Sequence, residues 1–182
     1  MSDMKEILSD FDSFLEEKGE RFECILIGGA ALRIMDVVSR FTRDADVLDP
    51  AIPDPIKDAS VEFAEQYEKE ELSPEWFNDT AKAFSYGLPK GWRTRTVKIF
   101  NGKSLSFETL GRTDFIKTKV YAYCNRGSDL DDLKSLEVTE KELDDALPWL
   151  KERMPEKLFG DQVETSMAVL KEEINLDLQQ GL

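Results

Sequence analysis

The stretch between Phe22 and Asp49 carries the pattern that most limits what this chain can fold into. An apolar run from Phe22 to Ile27 has the length of a buried strand and stops at Gly28-Gly29. Residues Ala30 to Val38 then have helical composition. After them, Asp44-Ala45-Asp46-Val47-Leu48-Asp49 alternates acid with apolar residue and is ended by Pro50 and Pro53. Strand, tight turn, helix and second strand follow one another closely, which calls for a sheet with helices laid against it.

The rest of the chain agrees with that layout. Met4, Ile7, Leu8, Phe11, Phe14 and Leu15 share one helical face, and Gly19 stands where the helix would end. A helix is expected from Pro55 to Lys69 with Ile56, Ala59, Phe63 and Tyr67 inward, and Ser73-Pro74-Glu75 reads as the cap of a short helix reaching Phe84. Thr96 to Phe100 and Ser104 to Thr109 flank Asn101-Gly102, a strong hairpin signal. Thr113-Asp114 cap a helix to about Tyr123, Leu130 to Leu136 form another, Thr139 to Trp149 a third, and Val163, Met167, Leu170 and Ile174 mark the last. The expected class is therefore α+β: a small mixed β-sheet flanked by helices, with a helical C-terminal part. Residues 1–136 are expected to form the core with its N-terminal helix, and residues 137–182 to pack on it as C-terminal helices of one compact domain.

Composition narrows the function classes. The 182 residues are 41% hydrophobic, enough for a real core, and carry a net charge of −14. Such a charge opposes a broad nucleic-acid surface, because phosphate binding needs clustered Lys and Arg, so any nucleic-acid contact must be local. Without histidine, Cys24 and Cys124 have no zinc ligand set around them and read as buried thiols. The longest apolar stretch, from Cys24 to Leu32, is too short to span a bilayer and no cleavable leader precedes it, so no membrane partner is expected and the cytoplasm is the simplest address.

Two features carry chemistry. Glycines at a strand end let a phosphate chain approach the backbone, and the following helix aims free N–H groups at it, although a Gly-Gly turn such as Gly28-Gly29, standing alone, is more often mere tight geometry. Asp44 and Asp46, two apart on a strand, project from one face while Ala45 and Val47 point inward. Paired carboxylates suit a hard divalent cation that also binds substrate phosphate, although an isolated Asp-x-Asp is commonly a solvent-facing edge. The turn lacks the further glycine spacing of a dinucleotide-binding unit, and the acids follow it too soon.

The ordered set Gly28-Gly29, Arg40-x-Thr42 and Asp44-x-Asp46 resembles the polymerase-β-type nucleotidyltransferases. Within them it is similar to the toxin-like branch related to the abortive-infection AbiEii toxins. A second block, Asp114 to Arg126 and then Asp129-Leu130-Asp131-Asp132, resembles that branch's later motif, a helix with an inward Lys followed by Arg and an Asp-x-x-Asp. The resemblance runs over roughly Cys24 to Leu136. It implies Mg²⁺ or Mn²⁺ on Asp44 and Asp46, a nucleoside triphosphate oriented by Gly28, Gly29, Arg40, Thr42, Lys119 and Arg126, and catalytic roles for Asp44, Asp46, Lys119 and Asp129. Its third metal-binding carboxylate falls on Glu108, with Asp129 as the alternative. Read without the family, Lys119 is a solvated helix lysine, Asp129 and Asp132 complement a helix dipole, and Glu108 is an exposed strand residue.

By the same resemblance the reaction is nucleotidyl transfer to an RNA, such as a tRNA, or to a protein, and the biological setting is a toxin with an antitoxin partner. The other reading of these residues is a catalytically inactive nucleotide-binding or protein-interaction module on the same fold. Ala45 replaces the larger aliphatic residue common between the aspartates. Trp76 and Phe77 are expected in the core, Asn78 has no assigned chemistry, and Trp92, Arg93 and Arg95 suit either a nucleotide base or RNA end, or a strand edge.

Overall fold

The computed structural model describes residues 3–69 and 71–180, the last five of these by backbone alone. The chain divides into two compact units, Met1–Gly111 and Arg112–Leu182. The class is α+β, as the sequence implies.

In the first unit, α1 (Met4–Lys18) begins at an Asp3 side chain that caps Lys5 N–H, and ends at Gly19 in the left-handed conformation. It is followed by β1 (Phe22–Ile27), α2 (Gly28–Ile34), β2 (Ala45–Asp49), α3 (Asp54–Gln66), β3 (Phe77–Asn78), β4 (Val97–Asn101) and β5 (Leu105–Thr109). Two 3₁₀ segments, Thr80–Gly87 and Trp92–Arg95, link β3 to β4. The strands form one mixed sheet in the order β3-β2-β1-β5-β4. β1 is central, antiparallel to β2 and parallel to β5.

Period-two alternation fixes which way each strand faces. Phe22, Cys24 and Leu26 are buried on one side of β1, while Ile25 and Ile27 are half-buried on the other. Ala45 and Val47 are fully buried and Asp46 lies on the opposite face between them, the arrangement expected from the alternating sequence. An irregularity in the β1–β2 register lets Leu48 turn inward as well, so Asp49 returns to the face of Asp46. The covered face packs under α1 and α3 around an aromatic cluster, with the Phe11 ring 5.1 Å from Phe63, 5.3 Å from Trp76 and 5.5 Å from Phe77. Trp76 and Phe77 are thus core residues, as their composition implied.

The β4–β5 hairpin forms where Asn101-Gly102 predicts it, with Asn101 taken into the strand and a connecting loop from Gly102 to Ser104. A buried carboxylate holds this loop. Asp12 of α1 accepts hydrogen bonds from the backbone N–H groups of Lys103 (3.0 Å), Ser104 (2.9 Å) and Leu105 (2.6 Å). A Cβ on Gly102 would lie 2.2 Å from Asp12 Oδ1, so the glycine is there to admit the carboxylate.

Several boundaries differ from the sequence reading. Gly28 and Gly29 open α2 rather than precede it, and α2 stops at Ile34 instead of Val38. α3 ends at Gln66 rather than Lys69. The helix expected from Ser73 to Phe84 is absent: Ser73 does cap, accepting from Glu75 N–H at 3.2 Å, but the chain then enters β3 and a 3₁₀ turn. Pairing with β2 overrides local propensity there, since Ala45 N–H donates to the Trp76 carbonyl at 2.6 Å and both aromatics gain burial.

The second unit holds α4 (Arg112–Arg126), α5 (Leu130–Ser135), α6 (Glu140–Arg153), α7 (Glu156–Phe159) and α8 (Gln162–Gln180). α4 and α6 both run further than expected. Thr139 and Glu142 make a reciprocal capping box at the start of α6. Glu142 is also gripped by Arg112 (Nε to Oε1, 2.7 Å; Nη2 to Oε2, 3.2 Å), which holds its carboxyl down at about 2. Val163, Met167, Leu170 and Ile174 of α8 are all buried, as their spacing requires. Among the described residues no helix is long and apolar enough to cross a membrane.

Two outcomes are expected. Asp12→Ala strands three backbone donors and should lower the urea unfolding free energy by about 2–4 kcal/mol, with Asp12→Asn losing less. Cys24 and Cys124 are both buried, and burial pushes the Cys124 thiol up to about 11 and that of Cys24 higher still. At pH 8 neither should react with a thiol reagent in the native protein, whereas both should react in denaturant.

Candidate functional site

The site grows from the turn between β1 and α2. Gly28 has φ 74°, a conformation that costs a side-chain-bearing residue about 1 kcal/mol or more. Its missing side chain also makes room: a Cβ on Gly28 would stand 3.0 Å from Asp46 Oδ2. A Cβ on Gly29 would stand 2.9 Å from Thr42 Oγ1 and 3.2 Å from Arg40 Nη2. Gly28, Gly29, Arg40, Thr42 and Asp46 are therefore packed against one another, and the β1–β2 register that pairs Ile27 with Asp46 brings them together.

Asp44 lies just before β2 and is exposed, with its carbonyl accepting a long hydrogen bond from Thr42 Oγ1 (3.4 Å). Asp44 and Asp46 open into one cleft of about 540 Å³, which is also lined by Lys57 and Ser60 of α3 and by Asn78, Asp79 and Thr80. Neither carboxylate is sealed away. A divalent cation such as Mg²⁺ takes one or two protein carboxylates and completes its shell with water and substrate phosphate, and this donor pair beside a glycine turn fits that preference. Among the described residues no three acidic or thiol groups gather closely enough to hold a metal by themselves.

Asn78 and Lys57 line the same cleft, and sequence reasoning missed both. Asn78 is the β3 partner of Asp46 in a parallel ladder, and its Nδ2 donates to Asp46 Oδ1 at 3.2 Å. Lys57 brings an ammonium to the cleft and lies 3.5 Å from Asp79 Oδ2, which also accepts from Ile52 N–H at 2.9 Å. Nothing local marks either residue, since Asn78 reaches Asp46 only through strand pairing and Lys57 reaches the cleft only through helix packing.

Glu108 lies on β5 opposite Ile25, and Ile25 in turn pairs with Asp49. That row is displaced along β1 from the Ile27–Asp46 pair, and Glu108 accepts from Thr96 Oγ1 at 2.6 Å. Trp92 is buried, with the Arg93 guanidinium 4.4 Å from its ring, and Arg93 Nε also bonds Asp49 Oδ2 at 3.0 Å.

The second unit has its own charged centre. Lys119 is 6% exposed, and its Nζ donates to Asp129 Oδ1 (2.8 Å) and Asp132 Oδ2 (2.6 Å). Asp129 precedes α5 with φ 74° and also accepts from Ser128 Oγ (3.0 Å) and Arg126 Nη2 (3.3 Å). The lysine and the Asp-x-x-Asp singled out in the sequence thus form one buried ion cluster that ties α4 to α5. Removing its cation should be severe: Lys119→Met leaves carboxylates buried without their counter-charge and is expected to cost about 3–5 kcal/mol in thermal or urea unfolding. Arg126→Ala, at an exposed side chain, should cost under about 1 kcal/mol.

None of the curated proteins and none of the solved structures matches the chain. Residues 2–173, which include the glycine turn, both cleft aspartates and the buried ion cluster, match the family described as nucleotidyltransferase of unknown function (DUF6036). The chain belongs to that nucleotidyltransferase family.

Proposed function

We propose that the protein transfers a nucleoside monophosphate from a nucleoside triphosphate to an acceptor hydroxyl, with Mg²⁺ or Mn²⁺ held by Asp44 and Asp46. The observation that carries this reading is the close packing of Gly28 against Asp46 and of Gly29 against Arg40 and Thr42. It puts a bare backbone, a guanidinium, a hydroxyl and a cation-seeking carboxylate around the same few ångströms, the inventory needed to hold a polyphosphate in line for displacement.

In this reading the chain's own groups act by position and charge. Backbone N–H groups at the start of α2 and the Arg40 guanidinium take phosphate oxygens, and Thr42 adds a hydroxyl donor. Asp44 and Asp46 hold the metal, whose contribution is to neutralise charge on the phosphates as the acceptor oxygen bonds to the α-phosphorus. The bond from that phosphorus to the bridging oxygen breaks, pyrophosphate leaves, and the hydroxyl proton passes to solvent. Lys119, given a phosphate role by resemblance, donates to Asp129 and Asp132, and the glycine turn and Lys57 at the cleft supply further groups to meet the triphosphate charge.

The acceptor is an RNA, such as a tRNA, or a protein, and the setting is a toxin paired with an antitoxin. Resemblance to the toxin-like branch supports this. A net charge of −14 favours an acceptor gripped locally at the cleft over one bound along a broad surface. One observation favours the alternative of a nucleotide-binding module without turnover: among the described residues no third acid joins Asp44 and Asp46 in a metal cluster.

The test is label transfer from each radiolabelled nucleoside triphosphate, with Mg²⁺ and total RNA, by wild type and by Asp44→Ala/Asp46→Ala. Transfer by wild type and its loss in the double variant, at least a hundredfold, is expected. If the two behave alike in both transfer and metal-dependent nucleotide binding, the reading fails. Metal-dependent binding without transfer selects the module.

A further inference from the structure

We propose that Asn78 is a positioning residue for the metal-gripping carboxylate of Asp46, and that Thr80 sets the direction in which Asn78 works. This deepens the proposed function and rests on the metal role given there to Asp46.

The amide has two ends, and the structure fixes which one meets Asp46. Asn78 Oδ1 accepts from the backbone N–H of Thr80 at 3.1 Å and from Thr80 Oγ1 at 2.5 Å. A backbone N–H can only donate, so the end facing Thr80 is the carbonyl oxygen and the end facing Asp46 is the NH₂ group. Its Nδ2 donates to Asp46 Oδ1 at 3.2 Å. The other carboxylate oxygen, Oδ2, is the one that stands over Gly28. Asp46 is thereby turned so that the oxygen nearest the glycine turn is the one presented where the phosphates approach.

Three features make this a built arrangement. The backbone places the partners: Asp46 and Asn78 are paired in the parallel ladder between β2 and β3, so both side chains leave the same face of the sheet. β3 has only two residues, and its other one, Phe77, is buried in the aromatic core, so the strand cannot slide without exposing that ring. The donor that Asn78 contributes is neutral, so it orients the carboxylate without adding positive charge of its own. Outer-shell partners of this kind typically change metal affinity or activity by about 10–100-fold when removed.

The experiment measures Mn²⁺ alone, titrated into the full-length protein and followed by electron paramagnetic resonance, alongside steady-state transfer. Wild type, Asn78→Ala, Thr80→Val and Asp44→Ala/Asp46→Ala are compared, with thermal unfolding as the check on folding. Asn78→Ala should weaken Mn²⁺ by roughly tenfold or more and lower kcat with little change in the KM for the triphosphate. Thr80→Val, which keeps the backbone donor, should show the same direction with a smaller loss. Should Asn78→Ala unfold, the Thr80→Val result decides alone. If the double aspartate variant loses Mn²⁺ binding while both Asn78→Ala and Thr80→Val retain wild-type affinity, the positioning role is wrong and the metal site stands. If the double variant also retains Mn²⁺, both are wrong.

Discussion

The close approach between the Gly28-Gly29 turn and the segment from Arg40 to Asp46 is the constraint on which the first unit turns. A side chain at either glycine would collide with Asp46, Thr42 or Arg40. The contact in turn requires Ile27 opposite Asp46, which depends on the β1–β2 register and its irregularity at Leu48. Register is held from the other face, where Leu26, Ala45, Val47 and Leu48 are all fully buried and a one-residue slip would expose them. Apolar packing on one side of the sheet thus aims polar groups on the other. The core contributes to function by fixing direction.

Among the buried carboxylates of the described residues, Asp12 and Asp132 have been taken out of water in different ways. Asp12 is buried and satisfied by three backbone N–H groups, so it acts as a clamp on the β4–β5 loop. Asp132 is buried against Lys119, whose ammonium also serves Asp129. Asp44 and Asp46 differ from both. They open into a cleft, where Asn78 donates a neutral amide to Asp46. Carboxylates that stabilise the fold are met by donors inside it, whereas the metal role proposed for Asp44 and Asp46 requires an oxygen that stays directed at open space.

Much of the site was legible because its residues lie in one short stretch with local meaning. A strand that ends in two glycines, followed by an Arg-x-Thr step and an Asp-x-Asp alternation, states its own period and its own turn, and Gly28, Gly29, Arg40, Thr42 and Asp46 do come together. The segment from Ser73 to Phe84 was misread as a helix for the opposite reason. Its structure depends on edge pairing with β2, and no local rule announces a two-residue parallel strand. Asn78 was overlooked with it, since its chemistry exists only beside Asp46. Lys119 reads as inward only through the family resemblance, since its helix position alone suggests a solvated lysine, and its choice of partners depended on how α5 packs.

Sequence alone determined the elements whose causes are local. These are the amphipathic faces of α1 and α8, the Gly19 and Thr139 caps, the Asn101-Gly102 hairpin, and the alternation that buries Ala45 and Val47 while turning Asp46 away from the core. Tertiary structure decided everything that needs two distant segments at once: Asp12 against the β4–β5 loop, Asn78 against Asp46, Lys57 at the cleft, and Glu108 displaced along the sheet from the Asp46 row. The physical reason is range. Propensity, capping and periodicity act over a few residues, whereas strand register and the seating of one buried charge against another are settled only when the whole core closes.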